Sequence, residues 1–211
     1  MTQPAAPPRG RYRPLTRLAR LTTTFGAARE GASAVEFAFI APPFLALLFA
    51  IFEIGLTMLV TQNLNAQLTS ASRLIYTGEF QGSAGNKNAD ATTILKNLRT
   101  ALCQANGKAL PSLFDCSAVK LNVLAVSSFA SAVTSPTVYD PVKGKLVWNS
   151  SFGSQYACGH GNEIIVVQAA VEYPVFLSQL YAPASLLENG RRVVQAAAAF
   201  RVEPLNTNPC S

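Results

Sequence analysis

Residues Phe37–Val60 read FAFIAPPFLALLFAIFEIGLTMLV, 24 positions with one charge, Glu53. About 20 consecutive apolar residues suffice for a helix to cross the hydrocarbon layer of a bilayer. A buried helix of a water-soluble domain is rarely apolar on every face, so the stretch reads as a transmembrane helix. It is too long for the apolar region of a cleavable secretory signal, and no clean small-x-small cleavage site follows it. The flank before it is basic. Residues 1–30 hold six arginines (Arg9, Arg11, Arg13, Arg17, Arg20 and Arg29) against one acid, Glu30. The positive-inside rule then keeps the N-terminus in the cytoplasm and exports everything after Val60. A single-pass protein, N-in and C-out, is expected.

The composition agrees. Of 211 residues, 49% are apolar and 13% charged, which excludes a disordered chain. The formal charge of +6 comes largely from the leader; beyond residue 61 there are 11 basic and 8 acidic residues. The basic balance therefore reports topology and gives no nucleic-acid-binding face. The start Pro4-Ala5-Ala6-Pro7-Pro8 reads as disordered cytoplasmic chain.

The junction before the apolar run is Arg29-Glu30-Gly31-Ala32-Ser33-Ala34-Val35-Glu36-Phe37. A carboxylate at the start of a membrane helix is costly unless it finds a partner. A cut after Gly31 would create an ammonium on Ala32, and a neighbouring subunit's ammonium would then meet Glu36. Glycine suits such a cut, because a protease needs an unhindered, extended backbone there. Glu53 lies 17 residues beyond Glu36, about 25 Å along a helix. The two carboxylates are expected near opposite edges of the hydrocarbon layer, Glu53 either simply interfacial or paired with a partner subunit. Pro42-Pro43 should kink the helix, as a hinge that eases extraction of the subunit or as a kink without a role.

GASAVEF followed by AFIAPPFLALLFAIFEIG resembles the TadE-like family, pseudopilins or minor pilins of the tight-adherence (Tad) pilus system. Ala199-Phe200-Arg201-Val202-Glu203-Pro204 also resembles that family's C-terminal end. The resemblance is dense over residues 29–76 and weaker beyond. It implies cleavage by a prepilin peptidase between Gly31 and Ala32, with Glu36 as the fifth residue of the mature chain. It further implies a pilus-assembly role that serves surface adhesion, at the bacterial inner membrane, with other Tad pilins and inner-membrane platform proteins as partners. The rival reading is a permanently anchored single-pass protein with an extracytoplasmic ligand-binding domain.

The segments expected are a leader (1–31), a transmembrane helix (32–60), its amphipathic continuation (61–77) and an extracytoplasmic domain (78–211). The continuation has Leu56, Val60, Leu64, Leu68, Ser72 and Tyr76 at a four-residue step, with Leu59, Ala71, Leu74 and Ile75 beside them. Gln62, Asn63, Asn65, Gln67 and Arg73 mostly take other faces, and Gly78 ends the helix after Thr77. From Ser33 this makes 45 residues.

Beyond it, residues 79–89 read as a polar loop. Asp90 caps a helix with Ile94, Leu95, Leu98, Ala101 and Leu102 inward, ending at Asn106-Gly107. Residues 118–126 alternate, with Val119, Leu121 and Val123 against Lys120 and Asn122, and read as a strand. The Ser/Thr-rich stretch 127–154 is a connection or hairpin containing a strand at Lys145–Trp148. Ile164–Tyr173, closed by Pro174, is a strand. Residues 176–187 read as a short helix or loop, and Asn189-Gly190 turns into a last strand over residues 192–202. Helices beside an antiparallel sheet make an α+β fold.

Cys103, Cys116, Cys158 and Cys210 all follow the membrane helix, and an even count in an oxidising compartment argues for two disulfides. Three connectivities are open; the favoured one joins Cys103 to Cys116 and Cys158 to Cys210. With one histidine and no C-x2-C pair, no metal is expected. His160 reads as a turn residue before the strand at Ile164. No nucleophile elbow or phosphate loop is present, so neither enzymatic activity nor a cofactor is expected.

Overall fold

Backbone N–H and C=O groups in hydrocarbon must be satisfied within their own segment, which a helix does. In the computed structural model, which describes residues 31–105, 107–129 and 135–203, helix α1 is Ala32–Tyr76. The chain divides into two compact units, one ending at Leu48 and one beginning at Phe49. In the first, α1 includes Pro42 and Pro43 without a break in helical assignment, although neither has an N–H for the carbonyls of Ala38 and Phe39. Its large apolar side chains stand exposed, Phe37 at 71% and Phe39 at 77%. This apolar helix is the chain's candidate membrane span.

In the second unit the buried stripe of α1 is Val60, Leu64, Leu68, Ala71, Ser72 and Ile75. Leu56 and Tyr76, expected inward, are exposed. Each four-residue step overshoots a full turn by roughly 40°, so a strict step of four drifts off the face at both ends. The observed stripe stays on the core by inserting steps of three. Gln67, expected outward, is buried, and its Nε2 donates to the Pro111 carbonyl at 3.0 Å. Asn63 donates to the same carbonyl and accepts from the Leu113 N–H, so α1 fixes the loop at 111–113. Gly78, in the left-handed region at φ 72°, terminates the helix.

Helix α2 (Glu79–Gly82) replaces part of the expected polar loop. Phe80 is buried there, and Asn86 donates to the Phe80 carbonyl at 2.7 Å. Helix α3 (Ala91–Cys103) starts at Asp90, whose carboxylate accepts from the N–H groups of Thr92 and Thr93. Ile94, Leu95, Leu98 and Leu102 are buried, while Ala101 is half-buried. The helix ends at Cys103, before the expected Asn106-Gly107, because the chain turns there into a small hairpin of β1 (Gln104–Ala105) and β2 (Lys108–Ala109). Cys103 is bonded to Cys116 across a separation of 13 residues. The chain-entropy model credits a loop of this size with about 3 kcal/mol. The proposed Cys158–Cys210 bridge lies outside the described residues.

Strands β3 (Lys120–Val126), β6 (Ile164–Pro174) and β7 (Arg191–Arg201) form an antiparallel sheet in the order β3-β6-β7. The register places Val123 beside Val167 and Val167 beside Ala198. Helices α1 and α3 cover the face carrying Leu121, Val123, Ile165, Val167, Ala169, Val171, Val194 and Ala196. The opposite face is covered too, by a hairpin of β4 (Thr137–Asp140) and β5 (Lys145–Trp148) and the turn after it. Trp148 Nε1 donates to Glu172 at 2.8 Å, and Lys120 Nζ lies 4.0 Å from the Trp148 ring centre. This second layer explains why β6 is buried on both sides. It also corrects the reading of Asn122 as outward: the residue is fully buried, and its Oδ1 accepts from the N–H groups of Gly153 and Gln155.

Gly159 lies against the sheet so closely that a Cβ there would stand 2.7 Å from Ile165 Cγ1 and 2.8 Å from Val202 Cγ2. Both neighbours are buried, so neither has room to move away. Gly159→Ala should cost about 1–3 kcal/mol, read as a lower midpoint of thermal unfolding of the full chain in detergent. Gly82→Ala, with nothing within 4 Å of the new methyl, should leave the midpoint unchanged or raise it. Equal midpoints for Gly159→Ala and the wild type would contradict this packing.

Candidate assembly and processing site

In the first unit, Gly31 is exposed immediately before α1 begins at Ala32. Glu36 is exposed one turn further on. The residues expected at a processing junction thus stand at a helix start with the glycine accessible. Ala32 and Glu36 belong to the same helix, four positions apart.

In the second unit, Glu53 is bonded to a distant segment of its own chain. Its Oε2 accepts from the backbone N–H groups of Phe176 and Leu177, each at 2.7 Å. Its Oε1 accepts from the N–H of Ser178 at 3.0 Å and from the Ser178 hydroxyl. The expected alternatives were a simple interfacial position or a partner subunit's group. The structure supplies a partner from the same chain, more than 120 residues away. A carboxylate has about four lone-pair positions to satisfy, and three amides with a hydroxyl fill them. Three successive N–H groups aimed at one point make a concave anion seat.

The chain turns this way because Pro174 closes β6 and Val175 is buried at 2% exposure, which points the following amides toward α1. Helix α4 (Ser178–Tyr181) then begins with Ser178 fully buried. Arg192, on the neighbouring strand, donates from Nη2 to the Ser178 hydroxyl oxygen at 3.2 Å. The hydroxyl therefore relays between a carboxylate and a guanidinium. Further along α1, Thr57 donates its hydroxyl to the Glu53 carbonyl and Thr61 to the Thr57 carbonyl, each at 2.8 Å. Both hydroxyls are thus satisfied within the helix.

Beside this seat Phe49, Phe52, Leu56, Tyr173, Phe176 and Leu177 line an apolar groove of about 430 Å³. Nothing in the local sequence around Phe176-Leu177-Ser178 marks these amides as partners of a distant acid. The one available signal was the acid itself, since a charge within an apolar run needs a partner somewhere.

His160 stands in the turn before β6, where its partner is Glu163. Its backbone N–H donates to Glu163 Oε2 at 2.9 Å and its Nδ1 lies 3.2 Å from the same oxygen. The backbone donor chiefly, and the ring secondarily, hold the Glu163 carboxyl below the usual carboxylate range.

Glu53→Ala leaves three amides and a hydroxyl without their acceptor. Amide hydrogen exchange at residues 176–178 should then accelerate roughly tenfold or more, as expected from the loss of hydrogen bonds to a charged group. Exchange in the centre of β6 should be unaffected. Glu53→Gln, which keeps one acceptor oxygen, should fall between. Unchanged protection at 176–178 in Glu53→Ala would contradict the seat.

A family model described as TadE-like protein matches residues 31–73. No curated protein and no solved structure gives a significant match to the chain. The matched segment starts at the exposed glycine and carries Glu36, Glu53 and most of α1. Residues 31–73 are thus a TadE-like domain.

Proposed function

We propose that this protein is a minor pilin or pseudopilin of a Tad-type apparatus, processed between Gly31 and Ala32 by a prepilin peptidase. The TadE-like domain supports a Tad pilus-associated protein, and its first matched residue is the glycine of the proposed cut. That coincidence is the observation that carries the reading. Removal of the arginine-rich leader frees an ammonium on Ala32 at the start of the helix. In a stack of subunits the Glu36 carboxylate of one chain meets the Ala32 ammonium of the next, which lowers the cost of a carboxylate held in an apolar bundle. The leader stays in the cytoplasm, and the domain after the span lies outside it. Other Tad pilins and inner-membrane platform proteins are the partners, and surface adhesion is the outcome. The role is structural and requires no enzymatic activity of the chain itself.

The fold of the second unit supports this reading in one further respect. Helix α1 is both the candidate span and part of the domain's core. A subunit built in this way carries its domain with it when the helix moves between bilayer and filament.

N-terminal sequencing of the membrane-extracted protein should begin at Ala32. An intact arginine leader would instead support a permanently anchored protein with an exported binding domain. Glu36→Ala should still be processed, yet lose piliation and surface attachment. If that variant is cut and assembles as the wild type does, the charge-pairing mechanism is wrong.

A further inference from the structure

The segment after Pro174 exposes two large apolar side chains, Phe176 at 82% and Leu180 at 81%. Both belong to the segment whose amides are bonded to Glu53, so their level along α1 is set by that carboxylate. On α1 the neighbours of Glu53 are also exposed and apolar: Phe49 at 56%, Phe52 at 63% and Leu56 at 49%. These belong to the candidate span, whereas Val60, one turn beyond Leu56, is already buried in the domain core. The exposed apolar surface of the helix therefore continues onto the turn through the groove that Phe49, Phe52 and Leu56 share with Phe176 and Leu177.

The polar groups around this turn suit a membrane boundary. In the β6–β7 register Tyr173 lies beside Arg192 and Pro174 beside Arg191. Aromatic and basic residues at one level are what the boundary between hydrocarbon and headgroups favours, because each presents an apolar body and a polar end. The nearby acids have partners within the protein. Glu172 accepts from Trp148 and Asn189, and Glu188 is paired with Lys143 at 3.0 Å.

We propose that the turn carrying Phe176 and Leu180 is a second membrane contact. It dips into the leaflet on the domain's side of the bilayer, and a phospholipid acyl chain occupies the groove lined by Phe49, Phe52, Leu56, Tyr173 and Phe176. The continuity of apolar surface with the span selects lipid as the occupant. In this arrangement Glu53 marks the depth at which hydrocarbon ends, and the amide seat keeps its charge out of lipid. The domain is then held against the membrane at a fixed height instead of swinging on a stalk. The inference rests on the span reading of α1 and is independent of processing and of filament assembly.

The test uses the full oxidised chain reconstituted into vesicles of phosphatidylethanolamine and phosphatidylglycerol. Nitroxide labels are placed singly through Leu180→Cys, Ile51→Cys as the lipid reference and Lys87→Cys as the water reference, the last residue being exposed in the loop beyond the far end of α1. Accessibility to oxygen, relative to a water-soluble nickel complex, is measured at each. The proposal expects the Leu180 label to resemble the Ile51 label and to exceed the Lys87 label several-fold. A Leu180 label as open to nickel as the Lys87 label overturns it. Spin–spin broadening at Leu180 that vanishes on dilution with unlabelled protein, without oxygen enrichment, also overturns it and assigns the surface to a second copy of this chain. Should the Ile51 label itself read as water-exposed, the span reading fails and this proposal with it. The fluorescence of Trp148, the single tryptophan, reports that each labelled protein retains its fold.

Discussion

A carboxylate surrounded by apolar side chains is tolerated only where donors replace its water. Glu53 meets that condition with the amides of Phe176, Leu177 and Ser178 and with the Ser178 hydroxyl, all from the chain that follows the central strand. The need runs in both directions. The three amides lead into the short helix α4, where no preceding turn offers them acceptors. Without Glu53 they would need water beside a groove lined by phenylalanine, tyrosine and leucine. One charge therefore satisfies two deficits and ties the end of β6 to α1.

That tie orients the rest of the second unit. β6, which runs toward the seat, is the middle strand of the sheet, paired with β7 over its whole length and with β3 over residues 164–170. One face packs on α1 and α3, the other under the β4–β5 hairpin. A strand covered on both sides has no solvent face to which polar alternation could respond, and its sequence Ile164-Ile165-Val166-Val167 shows none. β7 answers with small residues, Ala196 to Ala199. Near its end Phe200 meets Tyr76 edge-on at 6.0 Å, which brings the strand against the last turn of α1.

Periodicity made much of this fold legible. The apolar run at 37–60, the Asp90 cap, the alternation after Val119 and the β-branched stretch at Ile164 each carry a local physical signal. The α+β class and the three main strands follow from them, whereas the Cys103–Cys116 bridge was one of three open connectivities until the structure showed it. Where the structure departs from these local signals, the reasons are tertiary. Asn122 and Gln67 are polar, yet each is buried because a distant loop brings backbone groups that need a partner. Leu56 fits the apolar step but is exposed, because the helical face turns away from the domain before reaching it.

Local sequence was enough to mark the candidate membrane span, the glycine before a helix, and the stretches that alternate. Those properties depend on neighbours a few positions apart. What Glu53 bonds to depends on the folded chain, because its donors are backbone amides, common to every residue type but proline and more than 120 positions away. The level at which the 176–180 turn lies along α1 was likewise invisible. It depends on where β6 ends in space, and no local pattern of side chains encodes that.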